Sequence, residues 1–448
     1  MIVAAEAIPD NLQVETLYPK SRDVIEGLKQ HGVNVVSYAC DGTQLERSIQ
    51  DTLVSNAKNT LSIRLPDPDP EEDDDYTIRI PIFGSGAGSP VVMVQDSKHA
   101  LKTFRNNLFS GARALVLGNH VAMYSQVRRI AFSDPPGPIY RRDVEKMDRQ
   151  DDNAATRLFT AETLDFIIIH YPDHLGLVVY LFIMGEVVDA YQGRVLSHLE
   201  RIKMVLRCRY FLRLWKRFLQ AAGYTEKYCI SREAQDIIEK LIDGLLALIY
   251  VYRDHYKGEY PLLLWLHATE LCEHIFAECR KLIKDFTHLN FLFMTVRIHV
   301  LVHAAAIFSR GTDPKARAMG YSNSYLDPET AELKSLAVFP TDEEIEIAAA
   351  EAWEEAIALF DLLGIHNTDI THPQPTAGTD SGSPACDPDE TSGDEESDQK
   401  ETDAEILQYL VDLRRSPGWD DVDEETQNKL HTLMCAATAL DIGDQEEL

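Results

Sequence analysis

The sequence predicts a mixed α/β segment, then a long all-α stretch, then an acidic tail without regular structure. Three observations carry this. Up to about residue 111, short β-branched apolar runs alternate with helical patterns. From there to about residue 365, apolar residues recur almost entirely at helical spacing. Beyond residue 366 the chain turns to Pro, Ser, Gly and acid. The chain has 448 residues, 45% of them hydrophobic, which is enough for two or three domains with real cores.

Charge qualifies this outline. The net charge of −30 argues against non-specific attraction to nucleic acid over the whole surface. The acids are concentrated, however, in "PDPDPEEDDDY" (66–76), in "FPTDEEIEIAAAEAWEEA" (339–356) and in the tail, and the middle of the chain is basic. An acidic total therefore leaves room for a basic groove.

The elements follow in order. The first region, 1–111, reads as a strand "IVAAEAI" (2–8), a helix through "SRDVIEGLKQHG" (21–32), a strand "VNVVSYACDG" (33–42) and a short helix (43–55). An acidic loop and two further strand-like pieces, "YTIRIPIFG" (76–84) and "VVMVQD" (91–96), complete it. Strand, helix, strand suggests a parallel crossover, with Gly32 as a helix stop. The second region, 112–260, is helical, including residues 142–168 and a long amphipathic element at 197–220. The third, 261–365, carries a helix over "PLLLWLHATELCEHIFAECRKLIKDF" (261–286). The fourth, 366–448, is largely disordered by composition, with two short helical patterns at 404–415 and 424–440.

Four features carry candidate chemistry. Asp41-Gly42 ends an apolar strand, which places a carboxylate at the carboxyl edge where open α/β sheets keep ligand sites. An Asp-Gly pair is equally ordinary turn chemistry. Asp96 ends a second apolar run and opens a helix whose polar face bears His99, Lys102 and Asn106, with Arg105 beside them. Asp96 itself reads mainly as an N-cap. In "LCEHIFAECRKL", Glu273, Phe276 and Arg280 recur at helical spacing, as a site element or a surface ion pair. The helix bearing Lys203, Arg207, Arg209, Arg213, Lys216 and Arg217 could track a phosphate backbone or be a solvated face balanced by nearby acids.

Other signals are set aside. "GSGAGS" (84–89) lacks the Lys-Ser or Lys-Thr of a phosphate loop and reads as a hairpin. His299 and His303 are four apart but have no intervening acid, and they read as packed histidines. Seven scattered cysteines without a CxxC pair indicate a reducing compartment, cytosol or nucleus, and give neither a disulfide framework nor a zinc finger. No secretory signal follows Met1. The apolar runs at 175–185 and 245–252 read as buried helices too short for a bilayer.

The order of these motifs resembles the P-element-type, THAP-domain-related transposases. A strand ending in "CDG" is followed by "QDSKHALKTFRNNL", then "MDRQDDNAATRLFTAETL", then a long helical segment, then "ATELCEHIFAECRKL". The matching residues are Asp41; Asp96, His99, Lys102, Arg105 and Asn106; and Glu273, Phe276 and Arg280, over roughly residues 1–310. The resemblance implies an RNase H-like core interrupted by a helical insertion, with Asp41 as the family's second acid and Glu273 as its third. Those two would be catalytic and metal-ligating, holding Mg²⁺ or Mn²⁺ for DDE-type DNA cleavage and strand transfer.

It also implies that His99, Lys102, Arg105, Asn106 and Arg280 face nucleic acid, with buttressing of the carboxylates as the alternative role for Lys102 and Arg105; the location expected is intracellular, the nucleus ahead of the cytoplasm. Guanine nucleotide, which that family's insertion can bind, is a further implied cofactor, but no nucleotide-contacting motif maps onto these residues. The family's first two strands, its first acid and its zinc finger have no counterpart before "IVAAEAI". The expectation is therefore a transposase-derived protein with an incomplete core, inactive as written. The alternative is a non-enzymatic helical protein docking partners through its acidic tail; a third is a nucleic-acid binder using Arg207, Arg213, Lys216 and Arg217. No membrane association is expected.

Overall fold

A run of strands at the front of the chain forms the frame on which the helices pack. The computed structural model describes residues 13–366, except 73–74, 85, 87, 111–113, 146–147, 225 and 309–332. The strand expected at 2–8, the acidic tail and its two helical patterns lie outside the described residues. Apart from Ser110, the described residues belong to one unit, Met1–Phe109 with Arg113–Pro373; the second unit is Ser110–Ala112 with Gln374–Leu448.

Helix α1 (Val14–Gln30) is followed by strand β1 (Ser37–Cys40) and helix α2 (Gln44–Ser55). Thr43 starts α2 with a capping box, its hydroxyl accepting from the Glu46 amide while the Glu46 carboxylate accepts from Thr43 N–H. Strand β2 (Thr60–Leu65), given no element in the sequence analysis, pairs antiparallel with β3 (Tyr76–Phe83). Its alternating burial, with Ile63 and Leu65 inside, is the period-2 signal that a short run beside an acidic loop obscured. β4 (Ser89–Pro90) returns along β3 after the glycine-rich turn. β5 (Val92–Gln95) then pairs parallel with β1. The strands form two sheets here, one of order β2, β3, β4 and one of β1 with β5.

Helix α3 (Ser97–Phe109) leaves β5, and a small hairpin of β6 (Leu115–Leu117) and β7 (His120–Ala122) follows inside the region expected to be almost all helix. Then come α4 (Tyr124–Ala131), α5 (Arg142–Glu145), α6 (Asp152–Leu158), α7 (Ala161–His170), α8 (Leu175–Gln192), α9 (His198–Ala221) and α10 (Arg232–Tyr250). The helix expected over 261–286 is broken: a short 3₁₀ turn (Leu264–Leu266) precedes α11 (Glu270–Leu282). α12 (His288–Phe308) and α13 (Asp342–Leu362) complete the set. The protein is thus mixed α/β with helix predominating.

α10 packs directly on β5, and Gly244 permits it: a Cβ there would lie 3.0 Å from the Met93 carbonyl oxygen and 3.1 Å from the Tyr191 hydroxyl. Phe211, Trp215 and Leu214 of α9 are fully buried, with Phe211 against Phe360 of α13 at 4.9 Å between ring centroids. α8 is by length and composition apolar enough to cross a membrane, but 67% of it is buried within the fold. α12 is unusual in leaving Phe293 and Val296 exposed at 79% and 75%, while its Phe291, Met294 and Ile298 pack on α11 residues.

His198, the first residue of α9, is buried, stacked on Phe339 and hydrogen-bonded to the Leu336 carbonyl at 2.9 Å. Burial lowers its pKa to about 4, so the unfolded chain binds this proton more readily between pH 6.5 and 4. Stability from this group is present above pH 6.5 and is lost as pH falls through that window. Chemical denaturation at pH 7 and pH 4 is expected to show a pH-dependent loss smaller by about 3 kcal/mol in His198→Phe than in wild type.

Candidate functional site: an acidic strand edge

Parallel pairing fixes the first two site residues. Cys40 lies beside Gln95 in register, so Asp41 and Asp96 leave the sheet side by side, and Asp96 N–H donates to the Cys40 carbonyl at 3.0 Å. Gly42 turns the chain away with φ 96°, and a Cβ there would meet Gln95 Oε1 at 2.8 Å, so the position needs glycine. The Asp-Gly pair thus bends the chain out of the sheet, and its carboxylate stands at the strand edge.

The layer beneath is polar and closed. Gln50 donates to the Val94 carbonyl at 2.9 Å, Gln95 donates to Gln50 and reaches Cys40 Sγ, and all three side chains are buried. Burial above all pushes the Cys40 thiol up to about 12, which leaves it unreactive at neutral pH.

Asp96 does cap α3: its Oδ1 accepts from the amides of Lys98 at 2.8 Å and His99 at 3.1 Å. The sequence reading stopped there, and the structure adds a second use. Oδ2 lies 2.9 Å from Thr269 N and 2.7 Å from Thr269 Oγ1, and the same hydroxyl is 2.7 Å from Asp41 Oδ1. Thr269 immediately precedes α11, and Glu273 follows one turn later, half-buried. Its carboxyl is held above the ordinary range by burial first and then by the charge of Asp96, with Lys102 opposing and Asp41 and Asp152 adding. Glu270 is buried and paired with Lys98 at 3.0 Å.

Asp41 and Asp96 thus stand side by side at one edge, with Glu273 within electrostatic reach of both. Of these, sequence reasoning read Asp96 mainly as a cap. The available signal was that both apolar strands, "VNVVSYAC" and "VVMVQ", end directly in Asp.

The basic residues have other partners. Lys102 is buried and paired with Asp152 at 3.0 Å. Arg105, 1% exposed, donates to the carbonyls of Asp151 and Asp148, and Asn106 to that of Arg149 at 3.5 Å. This face of α3 grips residues 148–152. His99 is half-buried, and Arg280 is exposed two turns beyond Glu273.

On α9, Arg207 pairs with Glu186 and Glu355, Arg213 with Asp67 at 2.6 Å and Asp69 at 3.0 Å, and Arg217 with Asp69 and Glu72. The acidic loop at 66–76 covers the Arg213 and Arg217 part of this face. Lys216 is exposed and lines a cavity of about 580 Å³ with Arg209, Arg213 and Arg232. His299 lies on the exposed side of α12, and the side chain of His303 is outside the described residues.

Hard carboxylate oxygens suit Mg²⁺ or Mn²⁺, but this edge does not fit such an ion as it stands. A carboxylate offers about four lone-pair sites; three amides already occupy sites on Asp96, and the single hydroxyl proton of Thr269 is shared between Asp96 and Asp41. Among the described residues, no group of three or more His, Cys, Asp or Glu side chains converges to hold a metal.

Fold and site define a mostly helical α/β protein with an acid-lined strand edge closed by the start of a helix. No family model, curated protein or solved structure matches the chain.

Removing a neighbouring negative charge favours ionisation. Carboxyl-detected NMR on selectively labelled protein is expected to show the Glu273 titration midpoint move down in Asp96→Asn. An unchanged midpoint would mean that the two groups do not face each other.

Proposed function

We propose that the chain is a transposase-derived protein with a degenerate RNase H-like, DDE-type core that carries out no nuclease or strand-transfer chemistry as it stands. One observation carries the reading. Two acids at the ends of neighbouring parallel strands are joined by Glu273 from a helix that returns after a long helical segment, the order of elements expected of P-element-type transposases. With Asp96 at the edge, the core offers three carboxylates where the sequence matched two. The reading of a silent core is supported by the closure of that edge, since three amides and the Thr269 hydroxyl shared with Asp41 crowd Asp96.

DNA as the ancestral substrate and the nucleus as the location belong to the same reading. The internal pairing of Arg207, Arg213 and Arg217 favours it over a nucleic-acid binder built on α9.

A supercoiled-plasmid assay in Mn²⁺ tests the proposal. Wild type, Asp41→Ala and Glu273→Ala are expected to relax plasmid at one common background rate. Nicking by wild type that both substitutions abolish would overturn the assignment of a silent core and make the chain an active nuclease.

A further inference from the structure

The other helices that open on Ser or Thr with a hydrogen-bonded cap turn that side chain back on their own amides. Thr43, Thr160, Ser197, Ser231 and Thr341 each accept from the amide three residues on. Thr269 stands at the same position of α11 and makes no such bond. Its hydroxyl is instead directed at Asp41 and Asp96, and its amide at Asp96. The helix thus gives up a cap in favour of the two carboxylates. The N-terminal end of α11 also carries a partial positive charge from its aligned peptides, directed at the same pair.

We propose that Thr269 and the start of α11 take the place that a divalent cation would occupy between Asp41 and Asp96, so that the acidic edge works as a latch holding α11 to the sheet. A cation draws acid pairs together by supplying positive charge; here a hydroxyl, an amide and a helix terminus supply it from within the chain. The ion and Thr269 compete for the same lone pairs, so the edge binds metal only when the latch is open. This inference rests on the reading of the edge as a former metal site, and it concerns metal affinity, whereas that reading is tested by nicking.

Mn²⁺ binding is measured by calorimetry and by Mn²⁺-dependent thermal shift on the full chain, for wild type, Thr269→Ser, Thr269→Ala and Thr269→Ala with Asp41→Asn. Wild type and the Ser variant are expected to bind no Mn²⁺ in an Asp41-dependent way. Thr269→Ala, having lost the one hydroxyl proton shared between the two acids, is expected to show Asp41-dependent Mn²⁺ binding about tenfold or more tighter than any residual wild-type binding, and Asp41→Asn to abolish the gain. A folded Thr269→Ala protein with no gain overturns the latch. So does a wild-type protein whose Mn²⁺ thermal shift disappears in Asp41→Asn, a comparison that holds even where Thr269→Ala does not fold. Gained binding without nicking supports the latch and leaves the core silent.

Discussion

Two carboxylates at the ends of adjacent parallel strands are the constraint around which this site is organised. Two oxygens each 2.7 Å from one hydroxyl lie no more than about 5.4 Å apart, where like charges repel by roughly 3 kcal/mol at an effective dielectric near 20. The chain offsets this with donors: the first amides of α3, the Thr269 amide and the Thr269 hydroxyl. Those same bonds fix where α3 begins, where α11 begins and hence where Glu273 stands. Sheet register, two helix starts and the third acid are in this way parts of one arrangement.

Ion pairing within the fold explains how a strongly acidic chain carries a basic helix in its interior. α9 places Arg207 against Glu186 and Glu355, and Arg213 and Arg217 against Asp67, Asp69 and Glu72. Asp67 and Asp69 are almost wholly buried, so these pairs are shielded from salt and hold the 66–76 loop down on the helix. Breaking one partner would leave the other buried and uncompensated, a larger loss than the net worth of the pair. α9 thereby acts as a strut between α8, α13 and the acidic loop.

A comparable clamp operates on the far side of α3. Arg105 is almost fully buried yet spends its donors on main-chain carbonyls of residues 148 and 151, not on acid side chains. Burial lowers its pKa, with the nearby Asp151, Asp148, Asp143 and Asp152 opposing. The segment that follows the strand layer is thus tied back to the helix that leaves it, and Lys102 to Asp152 adds a second tie beside the acidic edge.

By itself the sequence determined much of the local structure. The apolar runs ending at Asp41 and Asp96, the helix after each, the amphipathic stretch at 197–220 and the helical spacing of Glu273 were legible because they depend on neighbours within a few residues. β2 and the β6–β7 hairpin were not, since strands this short are fixed by pairing across the sheet, not by propensity. Nor could composition tell whether the arginines of α9 face solvent or the acidic loop some 140 residues earlier, a choice made by packing. Only the tertiary structure decided that Asp96 has a second partner 173 residues away. A hydroxyl shared between Asp41 and Asp96 requires β1, β5 and the start of α11 to meet at one point, and no local pattern encodes that meeting.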